Sequence, residues 1–386
     1  MKPLPYGQHW LDEADVAAVL KVLRSDWITQ GPVIQQFEQE VARRCGALHA
    51  VAFSSGTAAL HAACFAAGVG SGDEVVTTPL TFVATSNAVL YQGGRPVFAD
   101  IDPETLNLSP ENAQASITPR TKAILPVHFA GLPCLMEPLQ EMARQRGIKL
   151  IEDASHAFGA EWTDRQGVRR KVGGCSHSDM TVFSFHPVKH ITTGEGGMVL
   201  TNQPELRDRL RSFRHHGMES GQMQGLGYNY RITDFQCALG LSQLERADSF
   251  LARREALAEG YRLQLEGLGL RWQAAGDGVR HSWHLRVVQL PLEDLSVSRD
   301  EVLKRLRDLG VGAQVHYLPV HLQPYYRRLL GTRPGDFPAA ENYHARALTL
   351  PLFPRMEDSD LERVVRSMKE ALSGVSRKEP AWNSSR

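Results

Sequence analysis

Between about residues 50 and 240, short apolar segments typical of β-strands alternate with segments of helical periodicity. Strands separated by helices require right-handed crossover connections, and these build a mainly parallel, buried sheet flanked by helices. The alternation therefore predicts an α/β fold. The strand candidates are Val51–Phe53, Glu74–Thr78, Pro96–Ile101, Ala123–His128, Lys149–Glu152, Met180–Phe185 and Gly196–Thr201.

The pattern changes after Leu244, where a long polar helix is predicted from Glu245 to about Glu266. Further elements are expected at Trp283–Leu290 (strand), Arg299–Leu309 (helix), Gly312–Tyr317 (strand) and Asp358–Leu372 (helix). These elements predict a second, smaller α/β domain. We therefore expect a large domain over residues 1–245, a small C-terminal domain over 246–372 and a disordered polar tail over 373–386.

Composition excludes several classes of function. The 43 basic and 43 acidic residues leave no net charge, which argues against a nucleic-acid-binding protein. The most apolar stretch, Ala58–Val69, contains His61 and is too short to span a membrane. Five scattered cysteines without a CxxC spacing suggest neither a disulfide framework nor a zinc site. Without a signal-peptide pattern, the expected location is the cytoplasm.

The adjacent histidines His215 and His216 are the remaining candidates for metal ligands. Neighbouring side chains point apart in a strand or a helix. We therefore interpret both histidines as structural, and we expect no metal site.

Three loops follow predicted strands, where ligands bind in open α/β sheets. The first, Ser54–Ala58, is a strand-to-helix turn of small residues, with Thr57 adding a hydroxyl group. Backbone N–H groups at a helix N-terminus bind phosphate, although an ordinary helix cap has the same sequence. The second is Leu150–His156, where an apolar strand leads to Asp153. A partly buried carboxylate needs a cationic or proton-donating partner, but this aspartate could equally cap a helix.

The third loop places Lys189 just after the strand Met180–Phe185, in a segment rich in glycine and threonine. A desolvated lysine has a lowered pKa and can form a Schiff base, whereas most lysines are simply solvated. Together, a phosphate site, an acid facing a ring nitrogen and a Schiff-base lysine are what pyridoxal 5′-phosphate (PLP) requires. The combination predicts PLP as the cofactor.

Five long segments occur in a distinctive order along the chain: SSGTAAL, TTPLTFVATSNAV, IEDASHAFGA, FSFHPVKHITTGEGGMVLTN and GYNYRITDFQCALGLSQL. On these segments the chain resembles the DegT/DnrJ/StrS family of sugar aminotransferases, from Tyr6 to about Leu372. The resemblance implies the PLP-dependent aminotransferase fold type I. Within the family, four segments most resemble the transaminases of pseudaminic acid biosynthesis: SFHPVKHITTGEGG, RHHGM, LGYNYRITDFQCALGLSQL and AQVHYLPV.

The resemblance assigns roles around the cofactor ring. Lys189 matches the lysine that holds the cofactor as a Schiff base, and Asp153 matches the carboxylate paired with the pyridine nitrogen. His156 matches the residue near the ring hydroxyl group. Phe82 falls where the family places an aromatic side chain stacked on the ring; without the motif it would be interpreted as a core residue.

The resemblance also implies how the phosphate is bound. Gly56, Thr57 and Ser184 fall at phosphate-contacting positions. Asn229 matches an asparagine that reaches the phosphate from the partner subunit, which implies a homodimer with shared active sites. The resemblance also implies substrate contacts, with less direct support. For His316 and Tyr317 the alternative is packing between the two domains. The residues implied to contact the substrate are Tyr6, Asp26, Trp27, Ile28, Thr29, Gln314, Val315, His316 and Tyr317.

The implied reaction moves an amino group from glutamate to the C4 keto group of a nucleotide-linked 4-keto-6-deoxy sugar. The expected sugar is UDP-2-acetamido-2,6-dideoxy-β-L-arabino-hex-4-ulose. The alternatives are another UDP- or dTDP-linked keto sugar and a non-catalytic regulatory protein of the same fold. Related dehydratases carry histidine in place of the lysine, so Lys189 favours transamination.

Overall fold

A computed structural model describes residues 3–373 of the chain. The strands are β1 (Leu4–Pro5), β2 (His49–Phe53), β3 (Glu74–Thr77), β4 (Arg95–Phe98), β5 (Thr121–Leu125), β6 (Lys149–Asp153), β7 (Glu161–Thr163), β8 (Arg169–Lys171), β9 (Met180–Ser184), β10 (Gly197–Thr201), β11 (Met218–Glu219), β12 (Gln222–Met223), β13 (Arg271–Trp272), β14 (Arg286–Gln289), β15 (Val311–Gly312) and β16 (Ala347–Leu350). The helices are α1 (Glu13–Leu23), α2 (Pro32–Cys45), α3 (Gly56–Ala66), α4 (Val83–Tyr91), α5 (Pro110–Ser116), α6 (Met136–Arg146), α7 (Pro204–Arg214), α8 (Asp234–Glu245), α9 (Ala247–Gln264), α10 (Arg299–Asp308), α11 (Pro324–Leu330), α12 (Pro338–Arg346) and α13 (Asp358–Leu372). Of the predicted tail, residues 374–386 lie outside the described residues.

The central sheet has seven strands in the order β2-β10-β9-β6-β5-β3-β4. All of its neighbouring pairs are parallel except those of β10, which runs antiparallel to β2 and to β9. The segment between β9 and β10 contains no helix, so the chain returns without a crossover. The predicted α/β fold with a mainly parallel sheet is confirmed, with one reversed strand that the pattern did not indicate.

Both faces of this sheet are buried by helices. In β2, Ala50 and Ala52 face a core that includes α2 and α6, whereas Val51 and Phe53 face a core built largely from α3 and α7. A strand covered on both faces has no polar side, which explains the continuous apolar runs in the sequence. This double coverage leaves the strand ends as the places where the sheet can present polar groups to a ligand.

The C-terminal part is built on an antiparallel sheet of β13, β14 and β16, covered by α9, α10 and α13. The first described strand also belongs here, because β1 pairs in parallel with β15 and Leu4 lies in the C-terminal core. The boundary between residues 245 and 246 stays a prediction. None of the helices within residues 3–373 combines the length and the apolar character needed to cross a membrane.

Two elements differ from the sequence expectation. The helix predicted from Glu245 is interrupted at Arg246, whose guanidinium group bonds to the carboxylates of Asp12 and Asp15 near α1. The strand predicted at Gly312–Tyr317 is limited to Val311–Gly312, because these residues pair with β1 and the chain then turns toward a cavity. Both elements contact the N-terminal segment, which is distant in sequence.

Candidate active site

A cavity of about 450 Å³ opens where β2, β6 and β9 end and where α3 and α4 begin. It brings together seven of the eight predicted cofactor residues. They are Gly56, Thr57, Phe82, Asp153, His156, Ser184 and Lys189. The carboxyl ends of parallel strands meet at one edge of a sheet, so residues distant in sequence converge there.

The N-terminus of α3 forms one wall of the cavity. Ser55 caps the helix by accepting a hydrogen bond from the Ala58 N–H at 3.1 Å. The N–H groups of Gly56 and Thr57 belong to the first turn and have no hydrogen-bond partner within the helix. A Cβ atom at Gly56 would lie 2.9 Å from the Ser184 Cβ atom, so only glycine lets the two segments approach this closely. The N–H groups, the helix dipole and two nearby hydroxyl groups together suit a phosphate.

Asp153 is the last residue of β6, and its side chain is held by neutral donors. Thr85 Oγ1 donates to Asp153 Oδ2 at 2.7 Å and is itself 2.7 Å from Thr81 Oγ1, while the Ser155 N–H donates to Oδ1 at 3.1 Å. The residue is only 3% exposed. Among the described residues, no cationic side chain forms an ion pair with this carboxylate. A buried anion held only by neutral donors suits a ligand that brings its own positively charged N–H group.

Lys189 follows β9, and its Nζ atom lies 3.4 Å from Nε2 of His284. Burial lowers the pKa of Lys189 to about 8; the Asp153 carboxylate opposes this shift, and the Arg254 guanidinium adds to it. Near neutral pH about a tenth of the amine is therefore unprotonated, far more than for a lysine with its ordinary pKa, which makes Lys189 a competent nucleophile and base.

His156 is buried beside these groups, and its Nε2 atom lies 3.2 Å from the Tyr317 hydroxyl group. Within residues 3–373, its Nδ1 atom has no hydrogen-bond partner. Burial and the positive charge of Lys189 hold the pKa of His156 well below its usual value, so the ring is neutral. A buried polar atom without a partner is uncommon in folded proteins, and this one belongs to a residue that lines the cavity.

The residues of the cavity fit PLP. The α3 N-terminus suits its phosphate, Asp153 suits its pyridine nitrogen, and the neutral His156 side chain lines the same cavity. Phe82 is 56% exposed at the cavity and lies 6.0 Å from the Tyr317 ring, which leaves its face available for stacking.

The predicted substrate residues divide into two groups. Tyr6, His316 and Tyr317 line the cavity, and the Tyr6 and His316 rings lie 5.1 Å apart. The residues from Asp26 to Thr29 are exposed and do not line the cavity of their own chain. Gln314 instead pairs with Thr349 through its backbone, and Val315 packs against the C-terminal core. Asn229 is likewise exposed and outside the cavity, with a backbone bridge to His215.

Two of the cavity residues that sequence reasoning missed contact the predicted acid and amine. Thr85 lies within the segment TTPLTFVATSNAV, one helical turn after Thr81, and this spacing could have indicated a polar pair at the start of α4. His284 lies in the apolar segment HSWHLRVV, which gives no signal of a functional residue. A histidine in such a segment is indistinguishable from a core histidine until the fold brings it to Lys189.

The model of the DegT/DnrJ/EryC1/StrS aminotransferase family matches residues 10–369, so the chain belongs to this family. The Bacillus subtilis spore coat polysaccharide biosynthesis protein SpsC is 40% identical over 387 residues, which cover 96% of this chain and 98% of SpsC. Helicobacter pylori PseC, an aminotransferase involved in the biosynthesis of pseudoaminic acid, has a similar structure with a TM-score of 0.87. It is 31% identical, over 96% of this chain and 99% of PseC.

The PLP form of Spr1654 from Streptococcus pneumoniae has a TM-score of 0.88 at 27% identity, over 96% of this chain and 98% of Spr1654. The pyridoxamine phosphate (PMP) form of the same protein has the same TM-score and sequence identity. These relatives confirm aminotransferase fold type I and PLP as the cofactor. The chain is a sugar aminotransferase of this family.

The hydrogen bond from Thr85 to Asp153 gives a first prediction. Thr85→Val removes the donor and leaves a buried carboxylate oxygen without a partner, which costs about 1–3 kcal/mol. We expect the dissociation constant for PLP to rise about tenfold, as measured by fluorescence titration. Thr85→Ser retains the hydroxyl group and is the matched control. Equal affinities for the valine variant and the unchanged protein would contradict the role given to this bond.

Proposed function

We propose that this protein transfers an amino group from glutamate to the C4 keto group of a nucleotide-linked 4-keto-6-deoxy sugar. The observation that best supports this proposal is that the amine of Lys189 and the buried carboxylate of Asp153 lie in one cavity, at the ends of neighbouring strands. When bound, PLP supplies a carbonyl carbon that accepts amino groups and a ring that withdraws electrons. The chain must therefore hold the cofactor, exclude water and move protons.

The cofactor is held by residues from separate elements. Lys189 anchors it covalently through Nζ, and the Asp153 carboxylate keeps its ring nitrogen protonated. Gly56 and Thr57 bind the phosphate through backbone N–H groups, and Ser184 adds a hydroxyl donor. His156 would lie near the ring hydroxyl group, and Phe82 would stack on the ring. The contacts that support these roles are those of the cavity wall.

Lys189 also moves the protons of the reaction. Once its Nζ atom is free, the amine accepts the proton from the α-carbon of glutamate, and in the second half-reaction it returns a proton to C4 of the sugar. With a pKa of about 8, the lysine can take both protonation states near neutral pH. Because the pKa is lowered, the amine that acts as base is lost as the pH falls below this value.

The sugar binds against the opposite wall of the cavity. Tyr6, His316 and Tyr317 supply hydroxyl and imidazole groups there, and all three come from the segments around β1 and β15. Burial lowers the pKa of His316 to about 4, so its ring is neutral at physiological pH. A neutral wall of this kind suits the uncharged ring of a sugar through hydrogen bonds and stacking.

The active enzyme is a homodimer with shared active sites. Asn229 is exposed and lies outside the cavity of its own chain, so a phosphate contact from this residue requires a second copy. Trp27 and Ile28 are 58% and 51% exposed, and large exposed apolar side chains are typical of surfaces covered by a partner. The segment from Asp26 to Thr29 then contributes to the substrate site of the neighbouring subunit.

The proposed sugar is UDP-2-acetamido-2,6-dideoxy-β-L-arabino-hex-4-ulose, the intermediate expected in pseudaminic acid biosynthesis. The similarity to PseC supports it. The higher identity to SpsC favours a second candidate, another nucleotide-linked keto sugar of a cell-surface polysaccharide. We expect the purified enzyme with glutamate to aminate the UDP-linked sugar with the highest kcat/KM in a panel of UDP- and dTDP-linked 4-keto sugars. Preference for a different sugar would contradict the specific assignment, and no turnover with any of them would contradict transamination.

Replacement of the anchoring lysine provides a direct test. Lys189→Ala removes both the covalent anchor and the base, so turnover should be abolished while the protein stays folded by circular dichroism. Lys304→Ala, which alters a surface lysine on α10, is the control and should retain activity. Borohydride reduction of the unchanged holoenzyme should attach the cofactor to the peptide that contains Lys189. Attachment elsewhere would exclude the proposed role.

The shared active site gives another prediction. Asn229→Ala should weaken PLP binding about tenfold, because one hydrogen bond to a charged phosphate is lost across the subunit boundary. Asn342→Ala, at another exposed asparagine, is the control. Affinity is measured by fluorescence titration and the dimer by light scattering. An unchanged PLP affinity in a variant that remains dimeric would refute the contact.

A further inference from the structure

Lys189 has one polar neighbour that the sequence did not indicate. His284 Nε2 lies 3.4 Å from Lys189 Nζ, and within residues 3–373 the amine makes no other hydrogen bond. His284 is 4% exposed and contributes to the wall of the same cavity. It lies in the segment before β14, whereas Lys189 follows β9, so the contact joins the C-terminal part to the central sheet.

The backbone of His284 is fixed from two sides. Its N–H group donates to the Ala130 carbonyl at 2.9 Å, in the loop that follows β5. Its carbonyl accepts from the buried Arg254 guanidinium of α9 at 3.3 Å. These two hydrogen bonds hold the backbone of His284 in place. A residue that orients another side chain needs such a fixed backbone.

Chemistry fixes the direction of the contact. When Lys189 is protonated, its ammonium group has donors only, so His284 Nε2 accepts and the ring proton resides on Nδ1, which has no hydrogen-bond partner within residues 3–373. The charged and titratable groups around His284 are Lys189, His156, His190 and Arg254; together with burial they lower its pKa far below the usual value. The ring is consequently neutral, and its Nε2 lone pair is available to the amine.

We propose that His284 is a positioning residue that acts through Lys189. Whenever Lys189 carries the additional proton, Nε2 accepts a hydrogen bond from Nζ, which stabilises the ammonium group and fixes its direction in the cavity. The proton remains on the lysine, and His284 does not change its charge. This inference rests on the proposed function, in which Lys189 takes up and returns a proton.

The test compares two amides that differ in reach by one methylene group. In His284→Gln the amide occupies the position of Nε2 and can still accept from Nζ, whereas in His284→Asn it cannot reach the amine. The full-length protein, freed of cofactor, is treated with acetic anhydride over a pH series. Acetylation of Lys189 is then quantified by peptide mass spectrometry. The pH at which acetylation is half-maximal is the titration midpoint of the Lys189 amine, because only the unprotonated amine reacts.

Loss of the acceptor disfavours the ammonium form, so we expect the midpoint to fall by about one pH unit in His284→Asn. His284→Gln should restore the midpoint of the unchanged protein. In the holoenzyme, kcat with glutamate should fall about tenfold in His284→Asn and recover in His284→Gln, with little change in KM. If the asparagine variant does not fold, His284→Leu replaces it with the same expected shift.

His281→Asn is the matched control. His281 lies in the same segment, is 5% exposed and bonds to Gln273 at 3.1 Å rather than to Lys189. A purely structural disturbance of this segment should lower thermal stability in both asparagine variants and leave the lysine midpoint unchanged. Equal midpoints in the unchanged protein, His284→Asn and His284→Gln would overturn the proposal. Failure of borohydride to attach the cofactor to Lys189 would instead overturn the proposed function.

Discussion

The parallel pairing of β6 with β9 is the constraint on which the site depends. In this pairing Asp153 lies opposite Val182, so the carboxylate reaches the same sheet edge as Ser184 and the loop that carries Lys189. A shift by one residue would turn every side chain of the strand to the other face. The buried apolar residues on both faces prevent such a shift, because it would exchange the two cores that cover the sheet. The hydrophobic packing of the central sheet thus fixes the positions of the acid and the amine.

The electrostatics of the site follow from the partners of its two charged groups, since within residues 3–373 neither Asp153 nor Lys189 forms an ion pair. Asp153 is held by Thr85 and a backbone N–H group, and the amine of Lys189 is held by the neutral His284. Neutral partners leave both charges available to a ligand, whereas a close ion pair would have satisfied them internally. Burial then keeps the pKa of Lys189 at about 8, near the pH at which an amine can both accept and donate protons.

The sequence predicted the elements of the large sheet and the residues at their ends, because strand ends, glycine-rich turns and the lysine loop are local signals. The reversed direction of β10 could not be predicted in the same way, since it depends on the absence of a helix in the connection after β9. Contacts between distant segments were also missed. The bond from Thr85 spans 68 residues and the contact of His284 with Lys189 spans 95. Thr85 has only its spacing from Thr81 as a local signal and His284 has none, so three-dimensional packing is what identifies their distant partners.

The pairing of β1 with β15 has a mechanical consequence. It attaches the first described residues to the C-terminal part, so Tyr6 reaches the cavity wall that also holds His316 and Tyr317, although some 300 positions separate them. This wall of the cavity is therefore assembled from both ends of the chain, and Tyr6 and Tyr317 pack there against a cluster that includes Leu80, Phe129 and Val287. Loss of the pairing between β1 and β15 would therefore free Tyr6 from the wall that it shares with His316 and Tyr317.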